Sequence, residues 1–168
     1  MRRAVLSIVV ICSASLGTAA QAPPRAVSGD EHNRFAGLQL QLGELGKQLL
    51  QDAKDVSEMS RPFVRDCELR DAIAEISEQA SDASSVMSSA FDMLEIYSTI
   101  STAKDRIAAG KVLSKHMAEA KRSLDSPIKL INLELSTPSL PNGAAVTGTR
   151  IKDNIRSAMD VFDKIKPE

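Results

Sequence analysis

Nine apolar positions in the middle of this chain, Leu69, Ile73, Ile76, Ala80, Ala83, Met87, Ala90, Leu94 and Tyr97, follow one another at alternating steps of four and three without exception. A strand buries every second residue, so this spacing fits only a helix with one continuous apolar face. A seam that holds its count for so long is what left-handed helical packing requires. Three of the nine side chains are no more than a methyl group: Ala80, Ala83 and Ala90. With serines at 77, 81, 84, 85 and 88 nearby, the helix is thin through its middle, and a partner backbone is able to approach closely. The span predicted for it is about 63–99.

Other segments repeat the pattern. Phe35, Leu38, Leu42, Leu45, Leu49, Ala53 and Val56 step by three and four and predict a helix over about 31–58. Gly37, Gly43 and Gly46 each cost it up to about 1 kcal/mol relative to alanine, so it depends on packing. Pro62 disfavours helical backbone at Arg61 and ends it near Met59. Ile107, Leu113, Met117, Ala120 and Leu124 point to a third helix over about 103–125, started by the Thr102/Asp105 pair as a capping box. Pro127 is read as the first residue of a new segment, and Ile128 to Leu135 is ambiguous between helix and strand. Residues 136–149 hold two prolines and two glycines and read as a loop. Ile151, Ile155, Ala158, Phe162 and Ile165 predict the last helix, about 150–166. The expected fold is all-α: an up-and-down four-helix bundle of helical hairpins with coiled-coil-like seams, a single domain over 31–168.

Charge is polarised along the chain. Between residues 68 and 97 seven acidic side chains accompany one basic one, Arg70, whereas residues 104–125 carry six basic and three acidic. A hairpin turning at 101 or 102 brings Asp92 opposite Lys111 and Asp82 opposite Lys121, an arrangement that selects partner and register more than it stabilises.

Ahead of the helices lies an export signal. Arg2 and Arg3 precede the uncharged apolar run Ala4 to Leu16, and Thr18-Ala19-Ala20 fits peptidase cleavage after Ala20. The run is shorter than the roughly 20 residues of a membrane span, so no stable membrane insertion is expected after cleavage. Residues 1–20 are thus a signal peptide and 21–30 a disordered lead-in with two prolines and a glycine. Nothing matches the N-glycosylation sequon, and a periplasmic or secreted bacterial location is expected. Without Arg2 and Arg3 the 21 basic residues become 19, facing 22 acidic ones for a net charge of −3. That balance excludes the basic face that nucleic-acid binding needs.

Cleavage also removes Cys12 and leaves Cys67 alone, so no internal disulfide holds the domain. Cys67 reads as a small, partly buried apolar residue rather than a reactive thiol. Nucleophilic chemistry there would want a neighbouring histidine, and the chain offers only His32, near the lead-in, and His116. No phosphate loop, dinucleotide fingerprint or haem-attachment motif occurs. The one weak metal candidate is His116, which would take a sulfur partner from Met59, Met87 or Met93; no cofactor is expected. The function that fits is a non-enzymatic exported bundle working by protein–protein contact or self-association, as an accessory, scaffold or chaperone-like factor of the cell envelope. The alternative is a small-ligand, metal or haem carrier with its site inside the bundle.

Overall fold

The computed structural model describes residues 29–167. The expected signal peptide and the lead-in up to residue 28 lie outside the described residues. The fold is an all-α helical bundle built from α1 (Gly29–Met59), α2 (Cys67–Thr99), α3 (Ala103–Ser123), α4 (Asp125–Glu134) and α5 (Asn142–Lys164), with a 3₁₀ turn at Arg61–Phe63. The four long helices pack against one another, and every residue of the four-three seam on α2 is buried.

Contacts fix the direction of each helix. On α2, Ser77 Oγ donates to the carbonyl of Ala53 and Ser84 Oγ to that of Gly46, both at 2.8 Å, while the Phe35 and Tyr97 rings meet edge to face at 5.5 Å. Residue numbers on α2 therefore rise as those on α1 fall, and the two helices form an antiparallel hairpin. α3 returns along the other flank of α2, where Ser89 Oγ meets His116 Nε2 at 3.2 Å. α5 runs antiparallel to α1: Met59 faces Gly143, Asp52 is bonded to Arg150, and Arg34 reaches the carbonyl of Lys166.

Several boundaries differ from the sequence reading for identifiable reasons. α1 begins at Gly29, so the end of the expected lead-in is helical. α2 begins at Cys67 rather than 63, because Pro62 sits in the 3₁₀ turn and Asp66 caps the helix by accepting from the amide of Leu69. The stretch left open between helix and strand is α4, and Pro127 is its third residue, not its first. Lacking an N–H, Pro127 cannot bond the carbonyl of Ser123, and the helical path breaks at Leu124, which ends α3 and begins α4. The largest correction concerns the expected loop 136–149: only its first part is loop, and α5 starts at Asn142. Pro141 stands just outside the helix with extended backbone, a position that suits it. Gly148 is there for packing, since a Cβ on it would stand 3.0 Å from Leu135 Cδ2 and 3.5 Å from Ile76.

Side-chain burial brings a further correction. Ile107, expected inside, is 59% exposed. The buried row on α3 is Gly110, Leu113, Met117, Ala120 and Leu124, and its continuation toward the N-terminus passes beside Ile107. Gly110 earns its place in that row through close contact with Pro167, whose ring carbon would lie 3.1 Å from a Cβ there.

In the connection before α5, Ser139 has φ 62°, the left-handed region that L side chains enter at a cost of about 1–2 kcal/mol. Ser139→Val is expected to lower stability by about 1–2 kcal/mol, since branching worsens the clash, whereas Ser139→Gly should change it little. Thermal unfolding of the two variants checks this; equal stabilities would mean the turn relaxes freely.

Candidate functional site

The residues singled out in the sequence do not converge. His116 is half-buried on α3 and its Nε2 meets Ser89. Met87 is fully buried beneath α1, and Met59 packs against Gly143. Ser89 lies at the level of Gly43 on α1, judged from the Gly43–Phe91 contact. Met59 is therefore about 24 Å further along the helix at 1.5 Å per residue. Met93, half-buried, follows Ser89 by one turn of α2. Among the described residues no group of three or more His, Cys, Asp or Glu side chains is placed to hold a metal ion. Cys67 is exposed at the first position of α2, not partly buried as its composition class suggested. The two ion pairs expected between α2 and α3 are not made either. Lys121 is bonded to Asp163 of α5 instead, because its position on α3 turns it away from α2.

What the fold does build is a groove of about 380 Å³ between α1 and α2. Its existence follows from missing side chains. Gly43 and Gly46 face Ser84 and Ser88, so nothing large fills the valley between the two helices, and Phe91, Met87 and Leu42 form its apolar floor. Close approach bears on Gly43, where a Cβ would stand 3.3 Å from the Phe91 ring and push it slightly; one on Gly46 would make an ordinary contact, 3.5 Å from Met87 Cβ. Ser84 spends its hydroxyl on the Gly46 carbonyl, so the floor offers little unsatisfied polarity. On the rim stand two leucines that no core claims, Leu40 at 65% and Leu50 at 44% exposure. The charged groups at the rim are Glu44, Lys47 and Asp92. Lys47 and Glu44 are 3.7 Å apart with side chains 80% and 68% exposed, a contact worth little in water.

A second, smaller crevice of about 170 Å³ lies between α2 and α3, where Ile96 and Val112 are exposed above Tyr97 and Leu113. The remaining chemical feature is structural. Arg150 on α5 forks onto Asp52 on α1, Nη2 to Oδ1 at 2.6 Å and Nε to Oδ2 at 3.2 Å. The hydrogen bond to Asp52 raises the arginine's pKa, with burial opposing it.

Neither the groove nor the Asp52–Arg150 pair is named by the seam pattern. The groove did leave a trace: Leu40 and Leu50 stand outside the three-four progression of α1, beside glycines that helix propensity disfavours. Pairing Asp52 with Arg150 across 98 residues leaves no local trace at all. Chemically, the groove offers apolar contact area with a thin charged margin and no nucleophile–base pair. Among the described residues no helix is long and apolar enough to cross a membrane. No protein-family model matches this chain, and neither a curated protein nor a solved structure matches it significantly.

Proposed function

We propose that this chain is an exported, non-enzymatic up-and-down helical bundle that acts by protein–protein contact in the cell envelope, as an accessory, scaffold or chaperone-like factor. The α1–α2 groove is its contact surface. The observation that carries this reading is the pairing of an unfilled apolar valley with two exposed leucines on its rim. Isolated exposed leucines are ordinary on a protein surface, but leucines clustered along an apolar groove mark recognition. The start of the sequence supports export: two arginines, a short apolar run and the Thr18-Ala19-Ala20 segment, giving a periplasmic or secreted location after cleavage at Ala20.

The test uses the full chain, made with its own leader in a bacterial host, carrying a photo-crosslinking residue at Leu40, Leu50 or, as a control, exposed Asp160 on α5. Adducts of defined mass at the two groove positions and none at Asp160 are the expected result. Native mass spectrometry of the same material reads the N-terminus, expected at Gln21, and any retained ligand. A stoichiometric metal or haem that disappears in His116→Ala would replace the contact reading with the carrier reading.

A further inference from the structure

We infer that the occupant of the α1–α2 groove is α1 of a second copy of this chain, in a two-fold dimer whose axis crosses α1 near Leu45. The inference rests on the contact reading above and names the partner.

A two-fold interface is isologous: if residue i of one copy meets residue j of the other, then j meets i. Two antiparallel copies of α1 crossing at the level of Leu45, which itself packs toward the core, satisfy this with the residues already at the groove. Leu40 and Leu50 stand five positions on either side of Leu45, so each leucine of one copy falls opposite the other leucine of its partner. The two leucines are ten residues apart, about 15 Å along the helix, which sets two apolar contacts at the ends of the crossing. At the middle, Gly43 of one copy lies opposite Lys47 of the partner subunit. Gly43 brings no side chain of its own into the groove, and that lysine's stem would lie against the Phe91 ring beside it.

Charge then selects this occupant over others. At the level of Gly43 the groove carries Phe91 and Asp92 from α2, with Glu44 one residue along α1. Lys47 of the partner subunit therefore arrives between two carboxylates, Glu44 and Asp92. The symmetry repeats the contact, so two lysines are shared among four carboxylates. Forming it costs only the exposed Glu44–Lys47 contact within each chain, at 3.7 Å, which water screens. An anionic lipid surface finds one cation and two carboxylates at this groove and has no comparable attraction to it.

The experiment is sedimentation equilibrium on the mature chain from Gln21, carrying Cys67→Ser so that the exposed thiol cannot bridge copies. The expected result is a reversible dimer. Lys47→Glu adds two carboxylates to the four already at the crossing and Glu44→Lys sets lysines against each other, so each should weaken dimerisation by at least about tenfold. The double variant Glu44→Lys/Lys47→Glu restores most of the loss, while Asp92 keeps the restoration incomplete. Leu40→Ser/Leu50→Ser abolishes the dimer with unchanged circular dichroism, as both side chains are exposed in one copy. A chain that stays monomeric, or a dimer indifferent to these changes, overturns the inference. If the monomer still gives crosslinks from Leu40 to a different protein, the contact reading survives without the second copy. If it gives none, both fall.

Discussion

Replacing Ile76 by alanine is expected to lower the unfolding free energy by about 3–4 kcal/mol, the middle of the range for truncating a buried isoleucine. The reason lies in what surrounds it. Ile76 is fully buried on α2, and its Cδ1 and Cγ2 stand 3.5 Å from where a Cβ on Gly148 of α5 would be. The facing position has no side chain to move into a cavity, and the neighbouring seam residues Ala80 and Ala83 are too short to fill one. Collapse would require a backbone shift of α5, so most of the cavity term remains. Ile96→Ala on the same helix, at an exposed position, should change stability by no more than about 0.5 kcal/mol. Urea denaturation of the two variants measures both. A loss below about 1 kcal/mol for Ile76→Ala would mean that α5 does not close over α2 at Gly148.

The second large effect is expected from Arg150→Met, about 2–3 kcal/mol, and it should exceed that of Asp52→Asn. The pair is asymmetric: the Asp52 side chain is 4% exposed and that of Arg150 46%. Removing the arginine strands a carboxylate with little access to water, whereas removing the carboxylate leaves a guanidinium already half in solvent. Asp52→Asn should therefore cost about 1 kcal/mol, and the double variant should be more stable than Arg150→Met alone. A double-mutant cycle from denaturant titrations gives the coupling. Equal losses from the two single changes would show that water reaches Asp52 freely. The arginine adds no pH dependence of its own in the neutral range. Its pKa is raised in the folded state, so its contribution is complete below the ordinary arginine value and is lost only in strong alkali.

How far the sequence specified this molecule depended on whether the governing force was local or distant. The seam of α2 and the apolar row of α5 were legible because burial repeats at the helical period, and Thr102 was legible as a cap, accepting from the amide of Asp105. Pro141 and Gly148 misled because proline and glycine normally mark loops. Here one closes a connection and the other admits a neighbouring helix. Ile107 misled because a three-four count tolerates a start on either side of Gly110, and only the contact with Pro167 and Tyr97 decides which. The charge polarity of α2 and α3 pointed to neighbouring helices, which they are, but not to the right ion pair: Lys121 bonds Asp163 on a third helix, which no pairwise reading contains. The groove belongs to the same class. In the sequence the glycines of α1 read as a helix cost and the serines of α2 as a thin face, and only the assembled pair of helices turns them into a surface.

The end of the chain has a consequence for the order in which the bundle can assemble. Ile165 is buried, the carbonyl of Lys166 accepts from Arg34 at 2.7 Å, and Pro167 packs on Gly110, so the last residues join the first helix to the third. The α1–α2 hairpin needs only local closure, but the contact between Arg34 and Lys166 spans 132 positions. Until α5 docks, the apolar faces of α1 and α2 that it covers stay open to water. Closing the bundle therefore joins segments far apart in sequence, a step that loop entropy makes slower than formation of the hairpin.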